Sequence, residues 1–398
     1  MRLLVVAFDV PFPAMRGGRA DIWRRLTVLK QQGCSTMLVC WHESGAKPTP
    51  EHIGTIETQV ESLRVYPIRR GPLEALVRLM RLPVAPSHVS ARRIDSAAWD
   101  ELVEAARKFN PAAIWLEGPY GGLVASRLSS VLGVPLFYRS HNIEHLYMAR
   151  QAAAAKSLRN RIAWRLACVG LARFERALME QAEHVFDISV DDLSFWKDRG
   201  VSSIEWLPPL PEAVLHAGQS ATGLPQHDVL FLGNLMRPNN VRGIEFLVEE
   251  VVPKVLATRP ATRFTVAGSN PTSDVRELIG RQPEVALLEN VADAMSLLGQ
   301  ARVLVNPVRT GSGIHVKALD MLMTDAPIVS SVQGTCGMPE EMKRLFRIHD
   351  DAEGFAQAIV EELEHPSVDI AARAHARRLF SREAVGALMK RLADSRKP

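Results

Sequence analysis

The stretch Val303-Leu-Val-Asn-Pro-Val-Arg-Thr-Gly-Ser-Gly-Ile-His-Val-Lys-Ala-Leu-Asp320 runs from a short apolar segment, through a loop with two glycines within three residues, into a helical pattern. A buried strand handing its chain to a helix is the repeating step of a parallel sheet covered on both faces. The step recurs in both directions. Strands are predicted at Val303–Val308 itself, at Val229–Leu232, Arg263–Ala267 and Val285–Leu288 before it, and at Ile328–Ser331 after it. Helices are predicted at Val241–Thr258, kinked or broken by Pro253, then at Ala292–Gln300, Ile314–Met323, Glu353–Leu363, around 370–379 and at Glu383–Asp394.

The first half alternates in the same way, with strands predicted at Arg2–Phe8, Ser35–Trp41, Leu63–Ile68, Ala113–Leu116, Val134–Tyr138 and Val185–Ile188. Between the halves, Pro208, Pro209 and Pro211 stiffen the chain, and periodicity returns only at Asp228. The predicted class is α/β: two doubly wound parallel-sheet, Rossmann-like domains facing a cleft. Their expected bounds are 1–205 and 228–378, with a linker at 206–227 and a C-terminal helix in 379–398 returning to the first domain. In such sheets ligands bind outside the carboxyl ends of the strands, so the loops that follow strands hold the candidates.

The 398 residues, 47% hydrophobic and 23% charged, exclude disorder, collagen and coiled coil. Leu3–Phe8, the longest apolar run, falls short of the ~20 residues of a membrane span and the ~7–15 of a signal-peptide core, so a cytoplasmic protein is expected. Four cysteines without a CxxC pair suggest neither a zinc knuckle nor a disulfide framework, and the histidines show no metal-ligand spacing. The net charge of +4 is uneven: residues 1–210 hold 27 Lys/Arg against 21 Asp/Glu. The excess concentrates in Arg64–Arg93, with seven arginines against Glu74, and in Lys156–Arg176, with six basic residues against Glu175. Apolar neighbours such as Leu73, Leu76, Leu79, Met80, Ile162 and Leu166 make either stretch a candidate for an anionic membrane surface. Nucleic acid is not expected as a partner.

Four loops carry candidate chemistry. In 306–320 the glycines and the helix start would present backbone N–H groups to an anion, Lys317 would add a full charge, and Asp320 would accept ribose hydroxyls. After the first strand, Gly17 and Gly18 allow close backbone approach, flanked by Arg16 and Arg19. His141 and Asn142 form a polar pair at a strand end, and Gly233 to Gly243 presents Arg237 and Arg242, with Asn239 and Asn240 readable as helix caps. Ser189 before Asp191 and Asp192 reads as a helix start rather than a metal site. The absence of a GxSxG elbow removes the obvious hydrolase reading.

These loops, in this order, resemble the glycosyltransferases of GT-B fold, specifically the large retaining family called family 4, or glycosyl transferases group 1. The matching pieces are Pro11-Phe-Pro with Gly17-Gly18, Ser189, Phe231-Leu-Gly-Asn-Leu, Phe264-Thr-Val-Ala-Gly-Ser-Asn-Pro, Asn290-Val-Ala-Asp and Asn306 to Ser331. The resemblance implies a nucleotide-sugar donor, UDP- or GDP-linked, in the second domain, no metal, and a saccharide or lipid-linked acceptor in the first. It places Asp320 at the ribose, Ser312 at the sugar, and Gly313, Ile314 and His315 at the diphosphate. His141 would face the donor sugar, Gly17 and Gly18 the diphosphate.

Two positions depart from the family pattern. Asp320 stands where a glutamate is usual, and Asn234 where an arginine is, so Arg237 or Arg242 must supply the phosphate clamp. The catalytic set implied is His141, Arg237 and Lys317, with Asn142 and Arg242 among the binding residues. The expected protein is a retaining glycosyltransferase of cell-surface polysaccharide, glycolipid or glycosylated-metabolite synthesis, peripheral at the inner face of the membrane. The alternatives are a nucleotide-sugar epimerase on the same fold and a silent sugar-nucleotide-binding protein.

Overall fold

The structure, a computed structural model, describes residues 1–14, 17–43, 45–155, 157–213, 226–311 and 313–394. It divides into two units, Met1–Pro209 with Arg382–Pro398, and Leu210–Ser381.

The first unit holds β1 (Arg2–Ala7), β2 (Ser35–His42), β3 (Ser62–Pro67), β4 (Ala113–Glu117), β5 (Leu136–Ser140), β6 (His184–Asp187) and β7 (Ile204–Trp206). They form a parallel sheet in the order β3-β2-β1-β4-β5-β6-β7. The second unit holds β8 (His227–Asn234), β9 (Phe264–Ser269), β10 (Val285–Glu289), β11 (Ala301–Asn306), β12 (Ile328–Ser330) and β13 (Arg347–Ile348), parallel in the order β10-β9-β8-β11-β12-β13. Central strands such as β1 and β4 are buried from Leu3 to Ala7 and from Ala113 to Glu117 because helices cover both faces and leave no wet side. In each unit the strand order reverses beside the first strand, between β1 and β4 and between β8 and β11, the topological position where open α/β sheets bind ligands.

Several elements differ from expectation. The linker predicted at 206–227 starts too early, because Trp206 is the last residue of β7 and pairs with Asp187 of β6; residues 214–225 of it lie outside the described residues. The first helix runs from Gly17 to Gln31. Pro253 does not break the chain's helical path: a π-helical turn, Leu247–Val251, joins Pro238–Phe246 to Val252–Thr258 and absorbs the hydrogen bond that proline cannot make. The last helix, Arg382–Asp394, packs on Gly17–Gln31 in the first unit, and Arg391 pairs with Glu205 of β7 at 2.6 Å.

Gly268 fixes how closely β8 and β9 can run. Its φ is +154°, and a Cβ there would lie 1.6 Å from the Gly233 carbonyl oxygen. Gly268→Ala is expected to destabilise the protein by about 2–3 kcal/mol through strain and overpacking, measured by urea denaturation. An unchanged midpoint would refute the close approach.

Candidate functional site

In the second unit the site grows from the ends of β8 and β11. The chain leaves β8 through Gly233-Asn234, where the Asn234 side chain accepts the Met236 N–H at 3.0 Å and turns the backbone into helix Pro238–Phe246. The cap position of that helix is Arg237, without a side-chain cap bond, so Asn239 and Asn240 do not cap it. Asn240 instead lies buried in the first turn, its amide donating to the Asn234 carbonyl at 2.9 Å and its oxygen accepting from Lys317 Nζ at 2.9 Å. Gly233 makes room for it: a Cβ there would meet the Asn240 amide nitrogen at 2.9 Å.

Lys317 stands on helix Val316–Leu322, with Nζ 4.3 Å from the centre of the Phe231 ring. It forms no ion pair among the described residues. An ammonium held by an amide and a ring is poorly solvated, and burial pushes its pKa down to about 7. Before it, Gly311 and Gly313 take φ of +145° and +70°, and the backbone N–H groups of Gly313, Ile314 and His315 donate no hydrogen bond among the described residues. The His315 ring lies against Gly311 with Nε2 buried and unpartnered, and burial, then Lys317, pushes it down to about 4, so it is neutral near pH 7. Asp320 accepts the Glu212 N–H at 2.7 Å through one carboxylate oxygen. Arg237 and Arg242 are exposed, and Ser312 lies outside the described residues.

In the first unit, Gly17 and Gly18 form the first turn of their helix; Met15 and Arg16 lie outside the described residues. A Cβ on Gly18 would press on the Phe8 ring at 3.0 Å, while Gly17 faces open space. Arg19 is tied to Asp9 at 2.7 Å. His141 follows β5 and is buried, its Nε2 2.5 Å from Glu117 Oε2 and its ring edge-on to Phe8 at 5.6 Å. Asn142 is half-buried, and its carbonyl accepts from Ser140 Oγ at 3.2 Å.

His141 is one end of a buried charge network. Arg139 Nη1 reaches Asp21 at 2.6 Å and Glu117 at 3.1 Å, and Trp115 Nε1 donates to Glu117 at 2.8 Å. Arg25 donates to the Pro208 carbonyl at 2.9 Å and lies 4.0 Å from Asp21. Burial alone would push the Glu117 carboxyl up, but Arg139, His141 and Arg25 hold it well below the usual carboxylate range.

Over 99% of its length the chain superposes on all of HepE from Anabaena, solved in complex with UDP, with a TM-score of 0.64 at 13% identity. It superposes as well on sucrose-phosphate synthase from Thermosynechococcus elongatus, with a TM-score of 0.63 at 18% identity over 99% of both chains. The fold is that of the GT-B glycosyltransferases. Residues 226–365, most of the second GT-B unit, match the family model described as Glycosyl transferases group 1. A Klebsiella pneumoniae protein described as an uncharacterized 44.6 kDa protein in the cps region is 24% identical over 368 residues, 90% of each chain.

Within this GT-B chain Lys317 is tied to Asn240, the N–H groups of Gly313 to His315 donate no hydrogen bond among the described residues, and the Arg237 and Arg242 side chains remain on the surface. Sequence reasoning missed Asn240, Glu117, Arg139 and Asp21. A signal existed for two of them: Glu117 and Arg139 each interrupt an otherwise apolar strand end.

Proposed function

We propose that the protein is a retaining glycosyltransferase that moves a hexosyl group from a UDP- or GDP-linked donor to a hydroxyl of a saccharide or lipid-linked acceptor, in cell-surface polysaccharide or glycolipid synthesis. The observation that carries this reading is Lys317, a poorly solvated cation with no ion pair among the described residues, on a helix entered through Gly313, Ile314 and His315, whose backbone N–H groups donate no hydrogen bond among the described residues. Breaking the sugar–phosphate bond develops negative charge on the leaving diphosphate, and fixed donors there stabilise the transition state more than the ground state. In a front-face reaction the acceptor oxygen bonds to the anomeric carbon on the side from which the diphosphate departs. The departing phosphate oxygen takes the hydroxyl proton, so neither a metal nor a carboxylate base is required.

In this reading Asp320 binds the ribose, and Ser312 and His141 contact the sugar. Gly17, Gly18 and Asn142 line the first-unit side, and Arg237 or Arg242 folds onto the diphosphate when donor binds. The UDP-bound HepE structure favours UDP as the carrier, and the relative in a cps region supports the polysaccharide role. The test is calorimetric binding of a panel of nucleotides and nucleotide sugars to wild type, Lys317→Ala and Asp320→Ala. Donor binding that either variant weakens about tenfold is expected; binding to none, or equal binding by the variants, overturns the assignment.

The same reading puts the first unit at the inner face of a membrane. No helix among the described residues is long and apolar enough to cross one. Helices Pro72–Met80 and Leu158–Cys168 expose Leu73 at 80%, Met80 at 74% and Leu158 at 69%. Of the basic face, Arg69 and Arg70 are taken by Asp95 and Glu43, whereas Arg78, Arg81, Arg159, Arg161 and Arg165 form no ion pair among the described residues. At about 1 kcal/mol per cation near an anionic leaflet, five suffice for measurable docking. Sedimentation with phosphatidylserine vesicles is expected for wild type and is lost when those five become Ser; equal sedimentation refutes the contact.

A further inference from the structure

Arg92 is a buried cation that forms no ion pair among the described residues. It is 8% exposed, and its Nε donates to the Phe8 carbonyl at 2.9 Å and its Nη1 to the His88 carbonyl at 3.1 Å. Its guanidinium lies 5.0 Å over the Tyr120 ring. These neutral partners fix its position. It forms no ion pair, and its Nη2 no hydrogen bond, among the described residues. The neighbouring acids are committed elsewhere: Asp9 to Arg19 at 2.7 Å, Glu43 to Arg70 at 2.9 Å, and Glu144 to the Tyr120 hydroxyl at 2.6 Å.

The place is as telling as the charge. Phe8 follows β1, Tyr120 follows β4 and His141 follows β5, and the Phe8 ring touches the Tyr120 and His141 rings edge-on. Arg92 therefore sits at the carboxyl ends of the strands beside the reversal of strand order, where doubly wound sheets take ligands. His88 reports how much positive potential gathers there: burial, then Arg92, Arg78 and Arg70, push it down to about 4. Arg92 and Arg78 form no ion pair among the described residues and Arg70 is held by Glu43, a set that matches a phosphate, which guanidinium groups bind through paired N–H donors.

We propose that Arg92 anchors the acceptor, and that the acceptor carries a phosphate or diphosphate group seated on its guanidinium with Arg70 and Arg78 at the rim. This deepens the transferase reading and rests on it for the word acceptor. The bland rival is that Arg92 only ties the Phe8 loop to helix Ser87–Ser90.

The test is calorimetric titration of the full chain with inorganic pyrophosphate in a Lys317→Ala background, which removes the donor-side cation. The Lys317→Ala protein is expected to bind; adding Arg92→Gln weakens binding about tenfold or more, and adding Arg70→Ser with Arg78→Ser weakens it severalfold. The rim variants decide the matter if Arg92→Gln fails to fold. Loss of pyrophosphate binding on removing Lys317 alone, or binding unmoved by the rim and Arg92 variants, overturns the proposal. Competition by farnesyl diphosphate in phosphatidylcholine vesicles identifies a lipid carrier, competition by glucose 1-phosphate a soluble sugar phosphate, and competition by neither overturns the proposal. Wild type that binds no nucleotide sugar sinks the transferase reading instead, leaving the anion site to stand on the pyrophosphate result.

Discussion

Lys317→Ala is expected to lower kcat/KM by ~10²–10³, the cost typical of deleting one preorganised donor to a developing oxyanion. The lysine stands in the first turn of the helix that follows the 306–320 loop glycines, held by Asn240 and the Phe231 ring, and it forms no ion pair among the described residues that would cancel its charge. That arrangement costs stability. With a folded pKa of about 7 against ~10.4 unfolded, the unfolded chain binds the extra proton between those values, so stability from this group rises with pH across that window and its full cost is present below about 7. Lys317→Met is therefore expected to abolish most turnover while raising Tm, most clearly below about pH 7. A diphosphate needs the charged form, so donor binding above about pH 7 takes up a proton and weakens as pH rises. Calorimetry in two buffers of different ionisation heat reads that proton directly. Asn240→Asp would hand the lysine a counter-ion: it keeps the ammonium charged to higher pH but weakens donor affinity. A Lys317 variant with wild-type turnover, or a pH-independent donor affinity in wild type, defeats this account.

Much of this was readable in the linear chain, for a local reason. Strands such as Leu3–Ala7 or Val303–Asn306 are buried on both faces, so burial leaves a continuous apolar run that needs no partner to be recognised. β7 and β13 escaped because they span three and two residues, and their side chains are only partly apolar; pairing with β6 and β12, not composition, makes them strands. The same division holds at the site. Two glycines, three N–H groups and Lys317 lie within one loop and one helical turn, so spacing brings them together. The contacts that set their chemistry do not: Asn240 meets Lys317 across 77 positions, and Asp21 meets Arg139 across 118. Sequence presents Asn240 as one more helix-start residue, and only the close packing over Gly233 turns it into the lysine's anchor.

Glu117→Ala is expected to destabilise the protein by about 3–5 kcal/mol, because one carboxylate serves three buried donors. Its removal leaves Arg139 and Arg25 with Asp21 as their remaining carboxylate in the network, and takes from His141 the partner at 2.5 Å. Glu117→Gln keeps a hydrogen-bond acceptor and the side-chain volume, so it should cost less than Ala, and the difference measures how much of the effect is charge. Linkage gives a second signature. A carboxylate held well below its unfolded value of ~4.3 contributes stability at neutral pH that is lost as pH falls below that value, so the wild type should lose more stability on acidification than Glu117→Gln does. Urea midpoints at pH 7 and in mild acid check both statements, and equal midpoints for wild type and Glu117→Ala refute them. The network also bears on turnover. If His141 contacts the donor sugar, the Glu117 carboxylate fixes which ring nitrogen carries the proton and which way the imidazole points. Glu117→Gln should then lower kcat while leaving UDP affinity unchanged, because the proposed ribose and diphosphate contacts of Asp320, Lys317 and Gly313 to His315 are untouched by it. A fall in UDP affinity with kcat preserved would instead make Glu117 a purely structural residue and remove His141 from the reaction.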